Sequence, residues 1–188
     1  FDILDGLTEE EKSKVESMSC LTETPKGTVL YSYDDPADRL YFLKKGKVKI
    51  SKYSGAGKEM IVSILEEGQI FGESSIFNET GSTHNEVAEV MENILTCSLS
   101  IPDVKQLLAQ NVKFNESVIN LIGVRYEKMQ ARLESLFFKS TPERVKGFIK
   151  EIADEKGKTL ANNTEIEVKI SLTHEDIAKL TATSRQTV

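Results

Sequence analysis

The stretch Ser184-Arg185-Gln186-Thr187 of this 188-residue chain sets four hydrogen-bonding side chains in a row. An arginine fork bonds O6 and N7 of a guanine, and a glutamine carboxamide suits N6 and N7 of an adenine. Arg185 and Gln186 therefore carry the chemistry to read base edges in a major groove. A solvated surface charge is the plain alternative for Arg185, and its place after a short break between two helices argues against it. Other reactive chemistry is sparse. The histidines are His84 and His174, and the cysteines are Cys20 and Cys97. Two thiols cannot form a four-thiolate cluster, and a single pair in a cytosolic chain is not expected to be a structural bridge. Cys97 reads as a small buried hydrophobe on a strand. No nucleophile–base arrangement, H-E-x-x-H spacing or P-loop is present, so no enzyme is expected.

The elements that must position these residues divide by period. Thr8 is a candidate cap with Glu9 to Glu11 behind it, and Leu7, Val15 and Met18 give a thin apolar face to about Ser19. From Pro25 to Ile101 short runs alternate between turn residues: Thr28 to Tyr31, Arg39 to Leu43, Lys47 to Ile50, Met60 to Leu65 and Ile94 to Leu99. Glycines stand between them, and such a series of short strands predicts a sandwich, roll or barrel. Pro102 then opens a helical stretch that reaches about Lys139. Within it Ile119, Ile122, Tyr126, Met129, Leu133 and Leu136 recur with heptad spacing. Two readings stay open: a helix packed on its own domain, or a supercoil with a second copy, which the 3.5-residue period specifies.

A new unit begins at Thr141, predicted to cap a helix with Pro142 in its first turn and Val145, Phe148, Ile149 and Ile152 on its buried face. Gly157 ends it, and 165–170 alternates as a strand. Thr173 and Asp176 form a capping box for a helix to Leu180, Thr181-Ala182-Thr183 breaks it, and Ser184 caps a second helix. That is a helix-turn-helix pattern. Ala182 stands where many such turns have glycine, at a cost if its φ is positive. The pattern looks cut inside its own DNA-reading element, since a recognition helix needs two further turns.

This order of parts resembles the cAMP receptor protein/FNR (CRP/FNR) family of bacterial transcription regulators. The segments LYFLKKGKVKI (Leu40 to Ile50), EEGQIFGESSIF (Glu66 to Phe77) and LTHEDIAKLTATSRQTV (Leu172 to Val188) carry the resemblance. It implies an α+β protein: an effector-sensing β-roll (jelly roll) of the cyclic-nucleotide-binding type over 1–101, a long dimerisation helix over 102–138, and a helix-turn-helix domain of winged-helix type over 139–188. Gly72, Glu73 and Ser74 would cradle the phosphate and ribose of an effector. Thr173, His174, Ser184 and Thr187 would touch DNA phosphates, which position without specifying. The implied partners are double-stranded DNA, a second copy of the chain and a small-molecule effector, with RNA polymerase a candidate.

The resemblance fails at the effector. Where cAMP binders carry Arg-Ser-Ala, the chain reads Thr83-His84-Asn85, which removes the guanidinium that neutralises the cyclic phosphate. Where the long helix brings Thr-Ser to the adenine, it reads Met129-Gln130. The effector is therefore expected to be something other than cAMP. His84 is a candidate haem ligand, as in gas-sensing relatives, against the plainer reading of a partly solvated loop histidine. Iron–sulfur sensing needs a cysteine cluster, and Cys20 stands alone. The remaining alternative is a ligand sensor with an output other than DNA, which the helix-turn-helix pattern argues against.

The net charge of −6 argues at first sight against a nucleic-acid partner. Residues 139–188 hold nine Lys/Arg against eight Asp/Glu, however, so that part is +1 and the remaining −7 falls on 1–138. An acidic sensor joined to a near-neutral reader is the division expected. No run of eighteen apolar residues and no signal-like start occur, so a cytoplasmic chain without membrane contact is expected.

Overall fold

Thr8 caps helix α1 (Glu9–Met18): its hydroxyl accepts from the Glu11 amide, and the Glu11 carboxylate accepts from the Thr8 amide. This is the start that the local pattern predicts. A computed structural model of the chain describes residues 4, 7–77, 81–159 and 166–188. The chain divides into two compact units, Phe1–Arg125 and Tyr126–Val188.

In the first unit the alternating runs become β1 (Cys20–Thr24), β2 (Val29–Tyr31), β3 (Arg39–Lys45), β4 (Val48–Tyr53), β5 (Glu59–Leu65), β6 (Ile70–Phe71), β7 (Val87–Val90) and β8 (Ile94–Ser100), with the short helix α2 (Ser74–Phe77) between β6 and β7. They form two antiparallel four-stranded sheets, β1-β8-β3-β6 and β2-β7-β4-β5, which make the expected roll. The period of two sorts the side chains. Leu40 and Phe42 of β3 face one core with Cys97, Leu99, Val15 and Leu107, while Leu43 faces the other with Val48, Ile50, Phe71 and Val90. Cys97 is buried, as its strand position predicts, and Cys20 is exposed. β1 lies outside the runs picked out from the sequence because its pattern is almost wholly solvent-facing.

The single helix expected over 102–138 is two: α3 (Ile101–Gln110) and α4 (Val112–Phe138). Asn111 makes the break. Its Oδ1 accepts from the Phe114 amide at 2.8 Å and starts α4, and its Nδ2 donates to Glu11 at 2.6 Å. Asparagine is a good cap, so it can stop one helix and begin the next without proline or glycine. Phe114 and Val118 at the start of α4 are fully buried against the roll, each contributing roughly 1.5–3 kcal/mol.

In the second unit the end of α4 is followed by α5 (Thr141–Lys156), a two-residue antiparallel pairing of β9 (Lys158–Thr159) with β10 (Ile166–Glu167), and α6 (His174–Leu180). Ser140 rather than Thr141 caps α5, because its hydroxyl and the Glu143 carboxylate close the reciprocal box. Ile152 is buried as predicted, but Ile149 is 49% exposed. The strand expected over 165–170 is shorter: Glu165 lies outside the described residues, and pairing stops after Glu167.

Candidate functional site

The roll's cradle is built on a glycine that nothing can replace. Gly72 has φ +80°, and a Cβ there would stand 2.7 Å from the Arg39 carbonyl oxygen and 3.3 Å from the Tyr41 ring. A side chain would need both an unfavourable backbone and a shifted strand. From this corner the chain turns into α2, where the Ser75 amide donates to Gly72 O and the Ile76 amide to Glu73 O. Ser75 is buried, and its hydroxyl has no partner among the described residues.

Glu73, which the family resemblance assigns to an effector hydroxyl, is held by an ion pair with Arg125 of α4. Arg125 also donates to the Ile70 carbonyl oxygen. Burial draws its pKa below the ordinary arginine value, and Tyr31 opposes that. An arginine therefore does reach the cradle, but from the long helix and not from the segment after Gly72-Glu73. Nothing local in the sequence marks it: the pair is 52 residues apart, and Arg125 reads as an ordinary charge beside the heptad seam.

His84 is buried, not partly solvated. Its ring stacks on Tyr31 with centroids 3.6 Å apart and 7° between planes, and Tyr41 stacks on Phe71 beside it at 4.8 Å. The His84 amide donates to Asp35 O at 2.9 Å, while Nδ1 is buried without a hydrogen-bond partner among the described residues. Tyr31 donates to Glu86 at 3.2 Å, and burial first, then Glu86, pushes its phenol well above the ordinary range. Thr83 is exposed and bridges to Pro36. Met129 and Gln130 are exposed as well, Gln130 donating to Tyr126 Oη at 3.1 Å.

Burial holds the His84 pKa below its ordinary 6.5, against the pull of Asp35 and Asp38. Its folded form thus prefers the neutral ring, and as pH falls through 6.5 the unfolded state gains the proton first. Stability should therefore drop between pH 7.5 and 5.5, with the loss flattening in His84→Phe, which keeps the stack without a titrating group. Thermal unfolding of both proteins across that window checks this, and parallel curves would contradict it.

The helix–turn segment that carries Arg185 and Gln186 lies in the second unit. Thr173 caps α6 by accepting from the Asp176 amide at 3.1 Å, and Asp176 accepts from the Thr173 amide at 2.9 Å. His174, the first helical residue, is exposed. Beyond Leu180 the Thr183 amide donates to Ala178 O across Ala182, whose φ is +51°. This is a Schellman end with alanine in the glycine place, so the strain anticipated from the sequence is accepted. Ser184 Oγ then accepts from the Thr187 amide at 3.1 Å, and the Val188 amide donates to Ser184 O at 3.2 Å. A helical turn begins there, with Arg185 and Gln186 exposed on it. Among the described residues no ion pair holds Arg185.

The seam residues divide. Ile122 is half-buried against the first unit's core, while Ile119, Tyr126, Met129, Leu133 and Leu136 are 40–63% exposed. No helix among the described residues is long and apolar enough to cross a membrane.

Known proteins agree with these parts and their order. The cyclic nucleotide-binding domain family matches residues 21–111. A CRP-like cAMP-activated global transcriptional regulator of Mycobacterium tuberculosis is 28% identical over 164 residues, 87% of this chain and 71% of the relative. A global nitrogen regulator of Nostoc is 29% identical over 154 residues, 82% and 68% of the two chains. Among solved structures, a c-di-GMP responsive global regulator of Xanthomonas campestris has a TM-score of 0.80 at 16% identity, over 96% of this chain and 87% of that one. A CooA mutant from Carboxydothermus hydrogenoformans has 0.79 at 20%, over 100% and 79%. With the roll, the glycine-cornered cradle and the capped α6 followed by the Ser184 turn in place, the chain carries a cyclic nucleotide-binding domain over 21–111 and is similar to transcription regulators of the CRP/FNR family over most of its length.

Proposed function

We propose that the protein is a homodimeric, non-enzymatic regulator that binds palindromic DNA under control of a small molecule in the roll, and that this molecule is not cAMP. The observation that carries the reading is the Ser184-capped turn, which presents Arg185 and Gln186 to solvent directly after a fully capped α6. Thr173, His174, Ser184 and Thr187 flank that turn as phosphate contacts, and Arg185 with Gln186 supplies the base contacts. Two copies joined along α4 would set two such turns roughly 34 Å apart, one helical repeat of DNA. RNA polymerase is the further partner of this reading.

The effector differs from cAMP because the cradle's positive charge comes from Arg125 and is spent on Glu73. An incoming ligand has to displace or bridge that pair, while the Thr83-His84-Asn85 segment offers no guanidinium. Release or reinforcement of the Glu73–Arg125 pair is the way such a ligand would bias α4.

The test is binding of the full-length protein to a palindrome selected from random sequence and to its scrambled counterpart, across a salt series. The palindrome should bind at least about a thousandfold more tightly, and log affinity should fall steeply with log salt. Equal affinities would refute the reading.

A further inference from the structure

The carbonyls that close α6 are held by two arginines. Leu180 O accepts from Arg132 Nη2 at 2.9 Å, Thr181 O from Arg144 Nε at 3.0 Å and Ala182 O from Arg144 Nη2 at 3.0 Å. Arg144 is fixed in turn by Nη1 on Lys139 O at 3.1 Å and by Nη2 on Thr141 Oγ1 at 3.3 Å. A helix end leaves its last carbonyls without partners and attracts cations, so both groups suit the place. The two arginines come from different elements, α4 and α5, and meet on three consecutive residues of the turn.

Two further features go beyond ordinary capping. Among the described residues every hydrogen-bond partner of Arg144 is an uncharged oxygen, so its fork is engaged for geometry and not for charge neutralisation. The residue it holds, Ala182, is the one in the left-handed region at φ +51°, two residues before the Ser184 cap. A glycine would make this turn unaided, whereas an alanine needs its carbonyls pinned.

We infer that Arg144, supported by Arg132, is a positioning residue for DNA reading: it fixes the Thr181–Ala182 turn and so sets the angle at which Ser184–Thr187 presents Arg185 and Gln186. The inference rests on the proposed DNA function. In the full-length protein, Arg144→Gln should lower the ratio of specific to scrambled affinity about tenfold, comparable with losing one well-placed bidentate contact. Affinity for scrambled DNA and helix content by circular dichroism should stay as in the wild type. Arg144→Lys, which keeps the charge without the fork, should lose the ratio as well, and adding Ala182→Gly to it should restore most of it. Amide exchange at Thr183 should quicken in Arg144→Gln. An unchanged ratio in Arg144→Gln, or a failure of Ala182→Gly to rescue Arg144→Lys, overturns the inference. If Arg144→Gln does not fold, the Arg144→Lys pair decides alone. If the wild type shows no preferred sequence, it is the DNA reading that fails, and unaltered Thr183 exchange in Arg144→Lys then overturns the clamp separately.

Discussion

Arg185→Ala is expected to leave the protein on DNA without a preferred sequence. A bidentate arginine–guanine contact discriminates by about 1–3 kcal/mol, and a symmetric dimer makes it twice, so about 2–6 kcal/mol of preference should vanish. That is a fall of roughly thirtyfold or more in the ratio of matched to scrambled binding. Affinity for scrambled DNA should change little, because the phosphate contacts proposed for Thr173, His174, Ser184 and Thr187 are left intact. Arg185 is exposed, so the substitution creates no cavity and breaks no described ion pair. A loss of stability therefore cannot mimic the loss of reading. Anisotropy titrations on both DNAs check the result, and a ratio equal to that of the wild type would take Arg185 out of the interface.

What could be read from the residues follows from how local the deciding interaction is. Both predicted helix starts with a three-residue reciprocal box, Thr8 with Glu11 and Thr173 with Asp176, are present because cap and partner lie within one turn. Ala182 could be marked as the place where many such turns have glycine, and its φ of +51° shows which of the two outcomes, a different turn or accepted strain, the chain adopts. The break at Asn111 was available in principle, since asparagine is a favoured cap, but a stretch without proline or glycine reads as continuous. The box at Ser140 was misplaced by one residue because Pro142 suits either of the first two helical positions.

The cradle was legible only in part, because its partners meet across the fold. Gly72 could be singled out from its neighbours, but the reason for it, the Arg39 carbonyl and the Tyr41 ring, comes from another strand. The absence of arginine from Thr83-His84-Asn85 was plain, whereas Arg125 is brought to Glu73 by α4. His84 was misjudged for the same reason. Gly81, Ser82 and Thr83 precede it and suggest a solvated loop, yet Tyr31, 53 residues away, covers the ring. Arg144 likewise reads as a helix-surface charge until the turn at Thr181–Ala182 folds onto it.

The second large effect concerns α4. Met129→Glu combined with Leu133→Glu should turn the proposed dimer into monomers, measured by sedimentation. Ile119, Tyr126, Met129, Leu133 and Leu136 keep the heptad spacing over more than four helical turns, and each remains at least 40% exposed in the single chain. Phe137 and Phe138, 82% and 86% exposed, extend the apolar surface to the helix end. A helix packed only on its own domain would bury this stripe, as Phe114 and Val118 are buried at its start. The observed exposure thus favours the second of the two readings that the spacing left open, a partner helix of matching pitch. Glutamates at two neighbouring seam positions would put four carboxylates into one apolar interface. The same variant should lose its gain from the second half-site and show a salt slope about half that of the wild type, since each monomer contacts half the phosphates. A dimer that survives both substitutions would remove α4 as the interface, and the apolar stripe would then need another occupant.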